Sequence, residues 1–301
     1  ALFLKLPHNK FSMEKFLLIN KPEGWTSFDV VGFVRKQYQQ QLPPVILNEV
    51  KDPSRSNKMN SSHAQNNKKS KRIKVGHAGT LDPFATGLLI VGVGRDATKK
   101  LDEFKVLPKT YVATIKLGEV SDTFDKTGTI TACHSERSEE SLSPDKRDPS
   151  ATPQDDNKYT PSPKQIKEVI NSFIGKQPQI PPMFSAKKIN GQRLYELARK
   201  GITVERQPSE IEIYDIKILD YPDFGVTEIE DPRFCAKQNR DTWPFLKIEV
   251  QCSAGTYIRS LANDIGTALG AGAYCQELVR TKIGDYSLTD AVSPQSLFII
   301  P

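Results

Sequence analysis

Cysteine, histidine, methionine and tryptophan are scarce in this 301-residue chain, at four, four, three and two copies. The cysteines (Cys133, Cys235, Cys252 and Cys275) fall at no spacing that suits a zinc knuckle or a redox pair. That argues against a disulfide framework and for reduced thiols in a cytoplasmic protein. The four histidines are scattered, so no metal site is expected. There is no Gly-rich nucleotide loop, and no cofactor is expected. No apolar run approaches the roughly 20 residues of a membrane-spanning helix, so no membrane contact is expected. The opening, Ala1 to Pro7, is too short and interrupted for a signal peptide. Residues 1–14 read as an extension ahead of the folded chain.

What is present is a mild excess of positive charge. Lys and Arg total 42 against 36 Asp and Glu, a net charge of +6, which is compatible with a polyanionic partner. Hydrophobic residues make up 37% and mean hydropathy is −0.47, low for a packed enzyme. Three segments account for this: 42–72, 133–159 and 220–242 are rich in Ser, Asn, Pro and charge, and read as flexible inserts on loops. The first ends in the basic run Lys68-Lys69-Ser70-Lys71-Arg72.

Between the inserts the periodicity alternates between strand and helix. Phe16 to Ile19 reads as a strand, Asn20 to Gly24 as a turn, and Phe28, Val31 and Val34 as a helix face begun by Thr26 and Asp29. Ala97 to Phe104 reads as helical. Thr110 to Gly118 alternates, with Tyr111, Ala113, Ile115 and Leu117 on one apolar face. Ser162 to Phe173 reads as an amphipathic helix, Glu210 to Leu219 and Phe245 to Cys252 as strands. Ile258, Leu261, Ala262, Ile265 and Leu269 form the buried stripe of a helix. The segment 176–206 stands out as basic, with a short helix from Gln192 to Lys200 stopped by Gly201. The balance indicates an α+β domain with a central, largely antiparallel sheet flanked by helices.

The chemistry is expected at Gly76-His77-Ala78-Gly79-Thr80-Leu81-Asp82-Pro83-Phe84-Ala85-Thr86-Gly87. Asp82 precedes the apolar, β-branched run Leu88 to Val93, which reads as a buried strand. A carboxylate there needs a cleft or a cation, because an unpaired buried charge is costly. An Asp-Pro pair also serves as an ordinary helix start or turn. The length of the pattern decides: it resembles the Gly-His-x-Gly-x-Leu-Asp-Pro-x-Ala-x-Gly motif of the tRNA pseudouridine synthase B family (TruB, with Cbf5/dyskerin as relatives) at every defined position.

The resemblance runs from about Lys15 to Val292, apart from the inserts, and implies a pseudouridine synthase catalytic domain over 15–292. It implies Asp82 as the catalytic carboxylate and a nucleobase pocket of Tyr111, Tyr257, Arg259, Leu278 and Lys21. Tyr111 would stack on the uracil, Arg259 would pair with Asp82, and Asp122 and Asp125 could organise the pocket. His77 would enter the RNA loop. The segment 176–206 matches the family's RNA-gripping thumb, with Lys187, Lys188, Arg193, Arg199 and Lys200 as RNA contacts. The implied substrate is uridine 55 in the TΨC stem-loop of tRNA, handled by a monomer with no obligate protein partner. Residues 293–301 read as a tail, without the full C-terminal RNA-binding domain that many family members carry. The rival functions are a non-catalytic tRNA-folding chaperone and a guide-RNA-dependent, Cbf5-like subunit. A glycosidase would need a second carboxylate that the sequence does not place.

Overall fold

The computed structural model describes residues 15–41, 72–133, 161–189, 191–221 and 245–298. The extension 1–14 and nearly all of the three inserts lie outside the described residues.

The first half of the chain holds β1 (Lys15–Lys21), α1 (Ser27–Gln41), β2 (Val75–Ala78), β3 (Thr86–Val93), α2 (Arg95–Lys99), α3 (Leu101–Lys105), β4 (Lys109–Leu117), β5 (Glu119–Ser121) and β6 (Ile130–Ala132). The second half holds α4 (Pro163–Ser172), β7 (Gly175–Gln179), β8 (Lys188–Ile189), β9 (Gln192–Arg193), α5 (Leu194–Ala198), β10 (Ser209–Asp220), β11 (Phe245–Cys252), α6 (Ile258–Ala268), β12 (Ala273–Ile283) and β13 (Tyr286–Ser287). One mixed sheet runs β1-β3-β12-β4-β11-β10-β7, with β2 added to β3 and β13 to β12. Its pairings are antiparallel except that of β12 with β3. This is the expected α+β architecture. No helix among the described residues is long and apolar enough to cross a membrane.

Two apolar layers fix the sheet. Leu246, Ile248, Val250 and Cys252 of β11 alternate inward and are fully buried, in one cluster with Ile166 and Ile170 of α4 and Ile258, Leu261, Ala262 and Ile265 of α6. Ser162 caps α4 through a reciprocal bond pair with Gln165, with Pro163 opening the first turn. At the other end, Val30, Val31 and Val34 of α1 cover Leu17, Ile19, Leu89 and Val91. Thr26 and Asp29 exchange bonds at the start of α1: Asp29 N donates to Thr26 Oγ1 at 3.1 Å, and Thr26 N donates to Asp29 Oδ2 at 2.8 Å.

Five local readings change. Gly76 to Ala78 are strand rather than loop, because they pair with Ile90 to Gly92 of β3. Ala97 to Phe104 is two short helices with Lys100 between them. β4 lies between β12 and β11 in mid-sheet, and both of its faces are covered as well: Val112, on the face opposite Tyr111, is buried too. Lys176 to Gln179 is the edge strand β7, paired with β10, and not part of a separate basic element. The helix of that element is only Leu194–Ala198, and Gly201, at φ +70°, follows it.

Candidate active site

The loop between β2 and β3 carries Asp82. Three ties hold it. Leu81 N donates to Ser27 Oγ at 2.9 Å, Gly24 N donates to Pro83 O at 2.9 Å, and Ala85 N closes a turn on Asp82 O at 3.1 Å. Lys21 supplies a fourth from below. Its Nζ donates to the carbonyls of Pro22 (2.9 Å), Trp25 (2.7 Å) and Pro83 (3.2 Å). Lys21 is therefore fully buried behind the loop and does not line the cavity. Its pocket-lining role, implied by the resemblance, is replaced by a fastening one. Burial lowers its amine to about 8, with the Asp82 charge opposing.

Asp82 opens into a cavity of about 320 Å³, whose walls include Tyr111, Tyr257, Arg259, Leu278, Lys187 and Arg280. A third of its side-chain surface (34%) is open, onto this cavity and the wider groove beside it. Burial pushes its carboxyl above the ordinary aspartate range; Arg259 pulls the other way and Asp125 adds to the rise.

Arg259, at the first turn of α6, is buried. Its Nε lies 2.8 Å from Asp82 Oδ2. The approach is off the N–H axis, so this is an ion pair rather than an aligned hydrogen bond. Nη1 donates to Asp125 Oδ2 at 3.0 Å and to Thr123 O at 2.9 Å, and Nη2 donates to Phe184 O at 2.7 Å. Asp125 is buried, and its Oδ1 accepts from Thr123 Oγ1, Thr127 N and Thr127 Oγ1. Asp122 lies apart, its Oδ1 accepting from Thr129 N at 2.9 Å. Phe124, at φ +63°, makes the bend that aims Thr123 O and Asp125 at the guanidinium.

Tyr111 on β4 and Leu278 on β12 line the cavity from adjacent strands and are both buried. Burial raises the Tyr111 phenol, and the nearby Arg280 guanidinium opposes that rise. Tyr257 precedes α6, and Gln179 of β7 clamps its backbone: Tyr257 N donates to Oε1 at 2.8 Å and Gln179 Nε2 donates to Tyr257 O at 3.0 Å. Burial raises the Tyr257 phenol as well.

A wider groove of about 1670 Å³ shares Asp82 and Arg259 with the cavity. Its lining includes Arg35, Arg72, Lys74 and Arg95 from the first half of the chain and Lys188, Arg193 and Arg199 from the second. His77 lines it, edge-on to the exposed ring of Phe28 at 5.2 Å. Burial lowers its imidazole to about 4, so it is neutral near pH 7. Lys187 faces the cavity and donates to Ser209 Oγ at 2.6 Å. Lys200 is exposed and lines neither space. Among the described residues no group of three acidic, His or Cys side chains converges as a metal site.

The arrangement can seat a flat, polar ring against Tyr111 and Leu278 with a carboxylate at its edge. Sequence reasoning did not single out Arg280. β12 also holds Gln276, Glu277 and Lys282, so nothing in its sequence set Arg280 apart.

Residues 66–144 and 141–258 match the TruB family pseudouridylate synthase (N terminal domain), and residues 259–298 match the tRNA pseudouridylate synthase B C-terminal domain. The tRNA pseudouridine synthase B of Parabacteroides distasonis is 37% identical over 288 residues, which is 95% of this chain and 93% of that protein. That of Protochlamydia amoebophila is 36% identical over 93% of this chain and 78% of its own length. Among solved structures, a chain of a Cbf5-Nop10-Gar1 complex aligns with a TM-score of 0.50 at 23% identity, over 90% of this chain and 49% of its own, a likeness of fold alone. The chain belongs to the TruB family of pseudouridylate synthases.

Proposed function

We propose that the Asp82 carboxylate isomerises uridine 55 in the TΨC stem-loop of tRNA, after that nucleotide has been flipped out of the RNA. Family membership makes the chain a tRNA pseudouridine synthase, an isomerase. The observation that carries the finer reading is the meeting of Asp82, Arg259, Tyr111, Tyr257 and Leu278 around one cavity. Flipping a base out costs roughly a few kcal/mol, and stacking on a buried aromatic offsets part of it. The carboxylate acts at the sugar C1′ or the base C6, Arg259 aims it, and Tyr111 stacks on the uracil and takes its proton. Tyr257 and Leu278 complete the pocket.

In this reading residues 15–292 form one catalytic unit and 176–206 is its RNA-gripping thumb. Lys187, Lys188, Arg193, Arg199 and Lys200 contact phosphates, and His77 fills the space that the nucleotide leaves. The enzyme works as a monomer in the cytoplasm, without cofactor or obligate protein partner. The test is tritium release from C5-labelled uridine in unmodified tRNA. Wild type should release it, Asp82→Asn should not, and the pseudouridine should map to position 55. A requirement for added guide RNA would point to the Cbf5-like mode instead, and tRNA folding without release would point to a chaperone.

A further inference from the structure

Arg280 is the largest fully buried side chain among the described residues, only 1% exposed. No described carboxylate lies within ion-pair distance of it. A buried cation without a counter-charge is costly, by several kcal/mol, so its placement calls for a compensating role. It is held rigidly. Its Nε donates to Leu88 O at 2.8 Å and Nη2 donates to Gly79 O at 3.0 Å. Both acceptors flank the Asp82 loop. The third nitrogen, Nη1, lies beside Gly79, 3.5 Å from where a Cβ there would stand, and Arg280 shares the cavity wall with Tyr111 and Asp82. Arg280 and Tyr111 are also direct cross-strand neighbours in the β12–β4 register.

We propose that Arg280 is a positioning residue for Tyr111: it fixes the phenol oxygen at the floor of the cavity and supports its negative charge when Tyr111 acts as proton acceptor. This rests on the function proposed above. After uracil has rejoined the sugar through C5, that carbon carries both the new C–C bond and its hydrogen. The Tyr111 oxygen takes the hydrogen as a proton. The C5–H pair becomes the C5=C6 bond, and the former C6=N1 pair moves onto N1, which is protonated through solvent. Tyr111 loses its proton to solvent, so product and substrate are isomers and the enzyme is unchanged.

The charges facing the phenol have opposed effects. Arg280 on β12 favours the phenolate, and Asp82 on the loop between β2 and β3 disfavours it. Cys252 on β11 stays a neutral thiol near pH 7, since burial raises it to about 11. Lys109, on the same strand as Tyr111, spends its Nζ on the carbonyls of Lys105 and Leu107. Arg280 is thus the cation placed to stabilise the phenolate.

The test is single-turnover pseudouridine formation against pH, with C5-protiated and C5-deuterated uridine in the tRNA, for wild type, Arg280→Met, Arg280→Lys, Tyr111→Phe and Arg280→Lys with Tyr111→Phe. The expected result for Arg280→Met is a rate about ten- to hundredfold lower near pH 7, with KM for tRNA changed by less than about twofold. Its alkaline-side rise should move up by about one pH unit or more, and its isotope effect should grow. Arg280→Lys should fall between, and should add nothing on the Tyr111→Phe background. An equal loss on that background, a loss confined to KM, or an unmoved pH limb would overturn the role. If Arg280→Met does not fold, or Tyr111→Phe is inert, the pH limb and isotope effect of Arg280→Lys decide. Wild type forming no pseudouridine would strike the proposed function; an active wild type with indifferent Arg280 variants would strike only this inference.

Discussion

Asp82 and Asp125 share one guanidinium, with Arg259 Nε 2.8 Å from the first and Nη1 3.0 Å from the second. The distal carboxylate is the better anchored, since its other oxygen accepts three further bonds. Asp125 therefore sets where Arg259 points, and Arg259 sets where Asp82 points. Asp125→Asn keeps the size but removes the charge from a buried pair. It should cost about 1–3 kcal/mol of stability and lower kcat at least tenfold, by the loss of about 1.4 kcal/mol or more at the transition state. Urea melts and saturating-substrate rates measure the two separately. Arg259→Lys should also lose most activity, because an ammonium cannot bridge both carboxylates in one plane.

The acid limb of the rate profile follows from the burial of Asp82. The reaction needs the carboxylate, and falling pH removes it. Burial raises its folded-state pKa, so activity should be lost at a higher pH than an ordinary aspartate would give. A pH series of kcat under single-turnover conditions should place that limb above the usual carboxylate range. A limb below pH 4 would contradict the assignment.

Gly87 should tolerate no side chain. A Cβ there would lie 2.4 Å from Arg280 O and 2.7 Å from Arg280 N, both backbone, at φ +108°. Gly87→Ala combines a steric clash with left-handed strain of about 1–3 kcal/mol and parts β3 from β12. The expected outcome is insoluble protein, or a denaturation midpoint far below wild type.

Lys21→Met keeps the length of the side chain and strands three carbonyl acceptors. Roughly 2–4 kcal/mol of stability should be lost. Because two of those carbonyls belong to the turn before α1 and the third to Pro83, activity should fall with stability. Crystals of the variant should show the Asp82 loop displaced.

The thumb should act through charge. Arg193 and Arg199 both lie over the Tyr195 ring, at 5.8 and 5.4 Å, and Arg193 Nη1 donates to its hydroxyl at 2.9 Å. Arg193→Ala and Arg199→Ala should each weaken tRNA binding and flatten the log K against log salt slope by about 0.7–0.9, with kcat at saturating tRNA kept. Binding titrations at several salt concentrations test this.

The contiguous parts of the site were legible in the sequence. The Asp82 motif spans twelve residues, and its neighbours Tyr111, Tyr257 and Arg259 sit in short recognisable strings. Five strands of the sheet (β1, β3, β4, β10 and β11) and the helices at α1, α4 and α6 followed from periodicity and caps, while β12 at its centre did not. What stayed hidden depends on contacts across long stretches of chain. Arg280 meets Gly79 from 201 residues away, and Asp125 meets Arg259 from 134; neither pairing leaves a local pattern. Lys21 looked like a pocket lysine because a turn gives no sign of which side its amine will face. β2 escaped notice because four residues with a glycine become a strand only when β3 pairs with them. The full burial of β4 was masked by an alternation that marks one covered face and is silent about the other.

The position of β12 has a consequence for synthesis. It lies between β3 and β4, yet it comes nearly two hundred residues after β3 and about 160 after β4 in the chain. While the ribosome is still making the chain, those two strands have no common neighbour to lie against. The sheet, and with it the wall that carries Leu278 and Arg280, can close only once β12 has been made, so until then the facing edges of β3 and β4 keep their backbone groups unpaired.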